Sequence, residues 1–116
     1  MALFSRRRAK VAAAAQARSD RRDEADAVRV HLEEFVRTRV GVEAYVEPAT
    51  AMTPPTVVLV ATDGEWTRRR VTDPNLLPGI SGHLKIPVYD VQLTGYPKRM
   101  RDWTERARRE GGRPAP

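Results

Sequence analysis

From residue 5 to about residue 40 the chain contains neither Gly nor Pro, and Ala, Arg and Glu dominate. These are strong helix formers, so the segment predicts one long helix. Ala25, Val28, Leu32, Phe35 and Val36 recur at helical spacing and define a single apolar stripe. Glu33 and Arg37 make a favourable i,i+4 pair outside that stripe. Upstream, KVAAAAQA (10–17) has helix propensity but little to bury. The expectation is a helix whose second half docks on a core, with residues 1–22 as a basic, Ala/Arg-rich extension that projects or frays.

The rest of the chain must then supply the sheet. Gly41 ends the helix, being able to adopt left-handed backbone. Val42, Ala44 and Val46 alternate with Glu43, Tyr45 and Glu47, as in a half-exposed strand. Pro54-Pro55 marks a loop. TVVLVAT (56–62) is β-branched and continuous, a buried strand. Asp63-Gly64 is a strong hairpin signal, and EWTRRRVT (65–72) is the returning strand. Asp73-Pro74 reads as an N-cap followed by a first helical residue. Leu76, Leu77, Ile80 and Leu84 keep helical spacing there, while Pro78, Gly79 and Gly82 predict that this helix is irregular or broken. A fourth strand is expected over roughly 86–92. A last helix is expected over about 97–109, with Met100, Trp103 and Ala107 facing inward. Residues 110–116 read as a disordered tail.

The order is α-β-β-β-α-β-α. It predicts a single α+β domain over 23–109, an antiparallel meander packed by helices. The last strand follows a helical crossover, which allows it to add in parallel.

Charge and composition narrow the function classes. The net charge of +6 is uneven: residues 1–22 carry seven basic and one acidic side chain, and residues 97–116 seven against three. Residues 23–96 carry seven against eleven, so a mildly acidic body lies between two basic ends. That asymmetry suggests polyanion contact by the ends. The absence of cysteine excludes disulfides, thiol nucleophiles and thiolate metal sites. Apolar runs reach only five residues, and no signal-peptide core is present, so a soluble, cytoplasmic protein is expected.

Three basic constellations stand out. On the third strand Trp66, Arg68 and Arg70 share one face, and Thr67, Arg69 and Val71 the other. If the first face is open, it is an aromatic and cationic strip suited to phosphate and base contacts. If a helix covers it, Trp66 packs inside and the arginines pair with Glu43 or Glu47. On the last helix Lys98, Arg99, Arg101, Arg106, Arg108 and Arg109 form a basic surface, partly neutralised by Asp102 and Glu105. At the N-terminal end Arg6, Arg7, Arg8 and Lys10, with Arg18, Arg21 and Arg22, form a basic arm for RNA, DNA or an anionic membrane, to which Leu3 and Phe4 add a short apolar start.

Catalytic motifs are weak. His31 and Glu34 have an i,i+3 spacing used in some metal sites, but no second pair exists and His83 is the only other histidine. Asp63 and Glu65 could hold Mg²⁺, although turn chemistry already explains Asp63. No nucleophile elbow, dinucleotide fingerprint or Walker A sequence occurs, so neither a cofactor nor a catalytic residue is assigned.

Two resemblances add expectations. The order α-β-β-β-α-β resembles the core of restriction-endonuclease-like nucleases. That resemblance implies an acidic residue on the second strand and an acidic-x-Lys element on the third. Asp63 lies near the first position, and Glu65-Trp66-Thr67 lacks the lysine. The run DGEWTRRRV (63–71), with IPVYDV (86–91) and GYPKRMRD (95–102), resembles a family of short uncharacterised actinobacterial proteins over roughly residues 40–105. Some of that family carry the name oxidoreductase, which implies no mechanism for these residues. The sequence therefore reads first as a non-enzymatic module binding RNA or DNA, with RNA ranked ahead. A protein-protein adaptor using the long helix comes second, and a degenerate metal-dependent nuclease third.

Overall fold

A computed structural model describes the backbone of residues 2–111 and side chains from residue 5. Its elements are α1 (Ala2–Thr38), β1 (Glu43–Glu47), β2 (Thr56–Val60), β3 (Trp66–Arg70), α2 (Leu76–Leu84), β4 (Val88–Asp90), α3 (Val91–Thr94) and α4 (Lys98–Arg109). The fold is α+β, with the expected order and one additional short helix. The sheet order is β3-β2-β1-β4. β2 pairs antiparallel with β1 and β3, and β4 adds parallel to β1 after the α2 crossover.

β2 lies in the middle because its side chains are apolar on both faces. Val57 and Leu59 point to one side, Val58 and Val60 to the other, and all four are fully buried. The first side is the larger core. Val28, Leu32 and Phe35 of α1 and Ile80 of α2 pack there on Val42, Ala44, Val57, Leu59 and Val71. The second side is closed by α4, whose Met100 packs with Tyr45, Val58 and Val60, flanked by Trp66 and Tyr89. Tyr45 and Tyr89 stack across β1 and β4 with ring centroids 5.4 Å apart.

Several local expectations shift. β1 is not half-exposed, because α4 covers its second face and Tyr45 is buried. The crossover helix is continuous and starts later, at Leu76. Asp73 instead closes a turn, its carboxylate accepting from the Asn75 amide at 2.9 Å. Pro78 falls in the first turn of α2, where an amide N–H has no intrahelical partner to lose. The fourth strand stops at Asp90, whose carboxylate caps α3 by accepting from the Gln92 amide. Of the expected tail at 110–116, Glu110 and Gly111 close the last helix with hydrogen bonds to the Arg106 and Arg108 carbonyls. Residues 112–116 and the side chains of Leu3 and Phe4 lie outside the described residues.

α1 is about 55 Å long at 1.5 Å per residue, and it sets the longest dimension of the molecule, 63 Å. Residues 5–18 are exposed on every side. Helix nucleation is the costly step, and the docked half supplies that nucleus, so the Ala-rich half propagates from it without packing.

Two glycines give opposite expectations. Gly64 has φ +94°, and a Cβ there would lie 2.0 Å from the Arg99 carbonyl oxygen. Gly64→Ala should cost about 2–4 kcal/mol, from backbone strain and displacement of α4. Gly82 lies inside α2 with nothing near its missing Cβ. Gly82→Ala should stabilise by roughly 0.4–1 kcal/mol. Urea unfolding midpoints check both signs.

Candidate nucleic-acid interface

The arginine triplet on β3 divides between the two faces of the strand. Arg68 points to the α4 face, and Glu47 on β1 accepts from its Nε at 2.9 Å and from a terminal nitrogen at 3.1 Å. Its guanidinium also lies 5.4 Å from the Trp66 ring centroid. Trp66 donates its indole N–H to the Thr104 hydroxyl of α4 at 2.8 Å. Trp66 is therefore held against α4, and Arg68, although 41% exposed, is committed to a fork-shaped ion pair in place of an open phosphate site. Arg70, at the end of β3, is exposed.

The C-terminal cluster is likewise consumed in part. Arg99 donates to the Ala61 carbonyl at 3.0 Å and pairs closely with Glu43. Lys98 lies 3.6 Å from Asp102, Arg109 pairs with Glu105 at 2.8 Å, and Arg106 donates to the Asp63 carbonyl at 2.8 Å. Arg101 and Arg108 are exposed and make no ion pair among the described residues. They line a shallow hollow with Arg68 and Tyr96. Tyr96 donates its hydroxyl to Glu47, and burial, followed by that carboxylate, pushes its pKa up. Glu43 and Glu47, the partners expected for the β3 arginines if a helix covered that face, are thus the counterions of Arg99 and Arg68.

On the α1 face Arg69 sits beside His31. An arginine can only donate, so His31 Nδ1 accepts from Arg69 at 3.4 Å and the ring proton lies on Nε2. Nε2 then donates to the Thr67 hydroxyl at 2.7 Å. A protonated Nε2 cannot serve as a base toward Thr67, so the pair is no activated nucleophile. Burial and the nearby Arg69 and Arg39 hold the His31 pKa below its ordinary value, against a smaller opposing pull from Glu34.

The carboxylates proposed for metal binding are committed elsewhere. Asp63 accepts from the Glu65 amide at 2.9 Å within the turn. Glu65 receives two hydrogen bonds from Arg39, each 3.0 Å, while Arg39 lies over the Phe35 ring. β2 and β3 carry no carboxylate, and no cluster of three or more potential ligands occurs among the described residues.

What remains is the projecting half of α1. Arg6, Arg7, Arg8, Lys10, Arg18, Arg21 and Arg22 are all exposed, and none makes an ion pair among the described residues. At 3.6 residues per turn they occupy about 200° of the helix circumference, with Ala9, Ala12, Ala13, Gln16 and Asp20 opposite. Their face is fixed by the docked half, since seven residues make nearly two turns. Arg21, Val28 and Phe35 form one such series, and Arg18, Ala25 and Leu32 another. The stripe that is core further along is arginine here. Arg18, Arg21 and Arg22 line a hollow with Thr72, Asp73 and Pro74, at the angle between helix and body. Sequence reasoning grouped these seven cations as a basic arm and missed that they continue the docking stripe. The seven-residue spacing carried that signal.

The structure thus separates the three basic constellations singled out in sequence. Arg6, Arg7 and Arg8 lie on α1, on the opposite side of the sheet from α4, which carries Lys98, Arg99 and Arg101. No helix among the described residues is long and apolar enough to cross a membrane. Comparison with family models, curated proteins and solved structures gives no match to this chain.

His31 makes stability pH-dependent. Its folded pKa lies below the unfolded value of about 6.5, so the unfolded chain binds more protons between the two. The stabilisation is complete above the unfolded value and is lost as pH falls toward the folded one. The urea midpoint should drop between pH 7 and pH 5, and His31→Gln should flatten that drop.

Proposed function

We propose that this chain is a non-enzymatic module that holds a nucleic acid, RNA or DNA, on the projecting half of α1. The observation that carries this reading is the arc of seven unpaired cations, opposed by one acidic residue within 1–22. Like charges at i,i+4, Arg6 with Lys10 and Arg18 with Arg22, repel one another on the free helix. Bound phosphates relieve that repulsion, and the counterions they release drive association. Arg70 is also exposed, but on the opposite face of the sheet, in line with Trp66 and Arg68. Arg101 and Arg108 on α4 are a lesser, separate patch.

The adaptor reading draws less support. A helix that docks in a protein groove needs an apolar stripe, and Val11 is the only apolar residue larger than alanine between 5 and 24. The nuclease reading lacks carboxylates on β2 and β3 and the lysine.

Fluorescence anisotropy with a labelled oligonucleotide, titrated across salt concentrations, tests the proposal. The triple variant Arg6→Gln, Arg7→Gln, Arg8→Gln should weaken binding at low salt by at least about tenfold and reduce the log–log salt slope by about 3. Arg68→Gln, which removes an arginine already paired with Glu47, should leave the slope unchanged. Equal slopes for the native and triple-variant proteins would refute the site.

A further inference from the structure

We infer that the partner is double-stranded DNA and that the projecting half of α1 lies in its major groove. This rests on the polyanion reading above and adds the form of the nucleic acid and the manner of docking. Three features point the same way.

The first is the width of the cationic arc. A helix resting on the outside of a duplex meets phosphates along one narrow line. A helix inside a groove has a phosphate backbone on each flank and base edges beneath it. Cations spread over about 200° of the circumference all find partners only in the second arrangement. The second feature is access. Residues 5–18 are exposed on every side, so nothing in the fold blocks entry into a groove. The side turned away from the DNA is built from Ala9, Ala12, Ala13 and Gln16, which keeps the helix slim, and from Asp20, which a phosphate would repel.

The third is the match of shapes. The B-form major groove, about 12 Å wide, admits an α-helix about 10–12 Å across. The major groove of A-form RNA is deep and narrow and excludes it. Single-strand binders stack bases on aromatic rings, and no aromatic residue occurs between 5 and 24. The cations also lie on the side of α1 that docks the body. With the helix in the groove, Arg18, Arg21 and Arg22 at the inner angle face the flanking backbone.

The test compares the full chain on a 20-base-pair DNA duplex, the RNA duplex of the same sequence, and single-stranded RNA, at matched salt. The expected result is at least tenfold tighter binding to the DNA duplex, displaced by methyl green in the major groove and not by netropsin in the minor groove. Equal affinity for both duplexes, or displacement by netropsin alone, would overturn groove insertion and leave polyanion binding standing. Absence of salt-sensitive binding to all three would overturn both.

Discussion

Arg99 reaches from the first turn of α4 to Glu43 on β1 and to the Ala61 carbonyl, while Gly64 lets the hairpin backbone meet the backbone of α4. Met100 and Thr104, one and two turns into the helix, complete the contact with Val58, Val60 and Trp66. This docking places two carboxylates and two arginines in a partly dehydrated layer. There an unpaired charge is costly and a fork-shaped pair is favoured. Each acid on that face of β1 therefore meets an arginine. The second face of the sheet is apolar in the middle and ion-paired at its rim.

The same docking decides which cations stay available. A chain with 21 Lys and Arg against 15 Asp and Glu has only a modest excess, and the body consumes much of its share. Arg39, Arg68 and Arg99 are tied to Glu65, Glu47 and Glu43, and Arg69 is held beside His31. Seven cations are left on residues 5–22 of α1, exposed and without an ion pair among the described residues. A field concentrated on one projecting rod attracts a polyanion more effectively than the same charge spread over a sphere.

Much of this architecture was legible in residue order. The Gly-free, Pro-free run and its Val28, Leu32, Phe35 stripe predicted α1 and its docking, and TVVLV predicted the central strand. Asp63-Gly64 predicted the hairpin, and the Met100 spacing predicted the inward face of α4. The partners of the charges were legible only in part. Pairing of the β3 arginines with Glu43 or Glu47 was expected if a helix covered that face, as Arg68 does with Glu47, whereas the reach of Arg99 to Glu43 was not. Glu43 and Glu47 alternate with Tyr45 as residues on a wet face do, and their arginines lie 56 and 21 positions away. Local periodicity cannot tell a strand face open to water from one closed by a distant helix. The α2 interruption was overread for a related reason. Pro78 disrupts a helix interior, but the true start at Leu76 puts it in the first turn, where it is tolerated. α3 was missed although Asp90 offered its cap, because the apolar run across it suited a strand equally well.

The proposed interface for nucleic acid is the projecting half of α1 and not the α4 face. Backbone amide chemical shifts, followed while a short DNA duplex is titrated into the full chain, test it residue by residue. Perturbations are expected between Arg6 and Arg22, extending to Thr72 and Asp73, with the amides of Trp66, Arg68, Arg99 and Trp103 unmoved. Perturbations centred on Trp66, Arg68 and Arg99, with α1 unchanged, would contradict it.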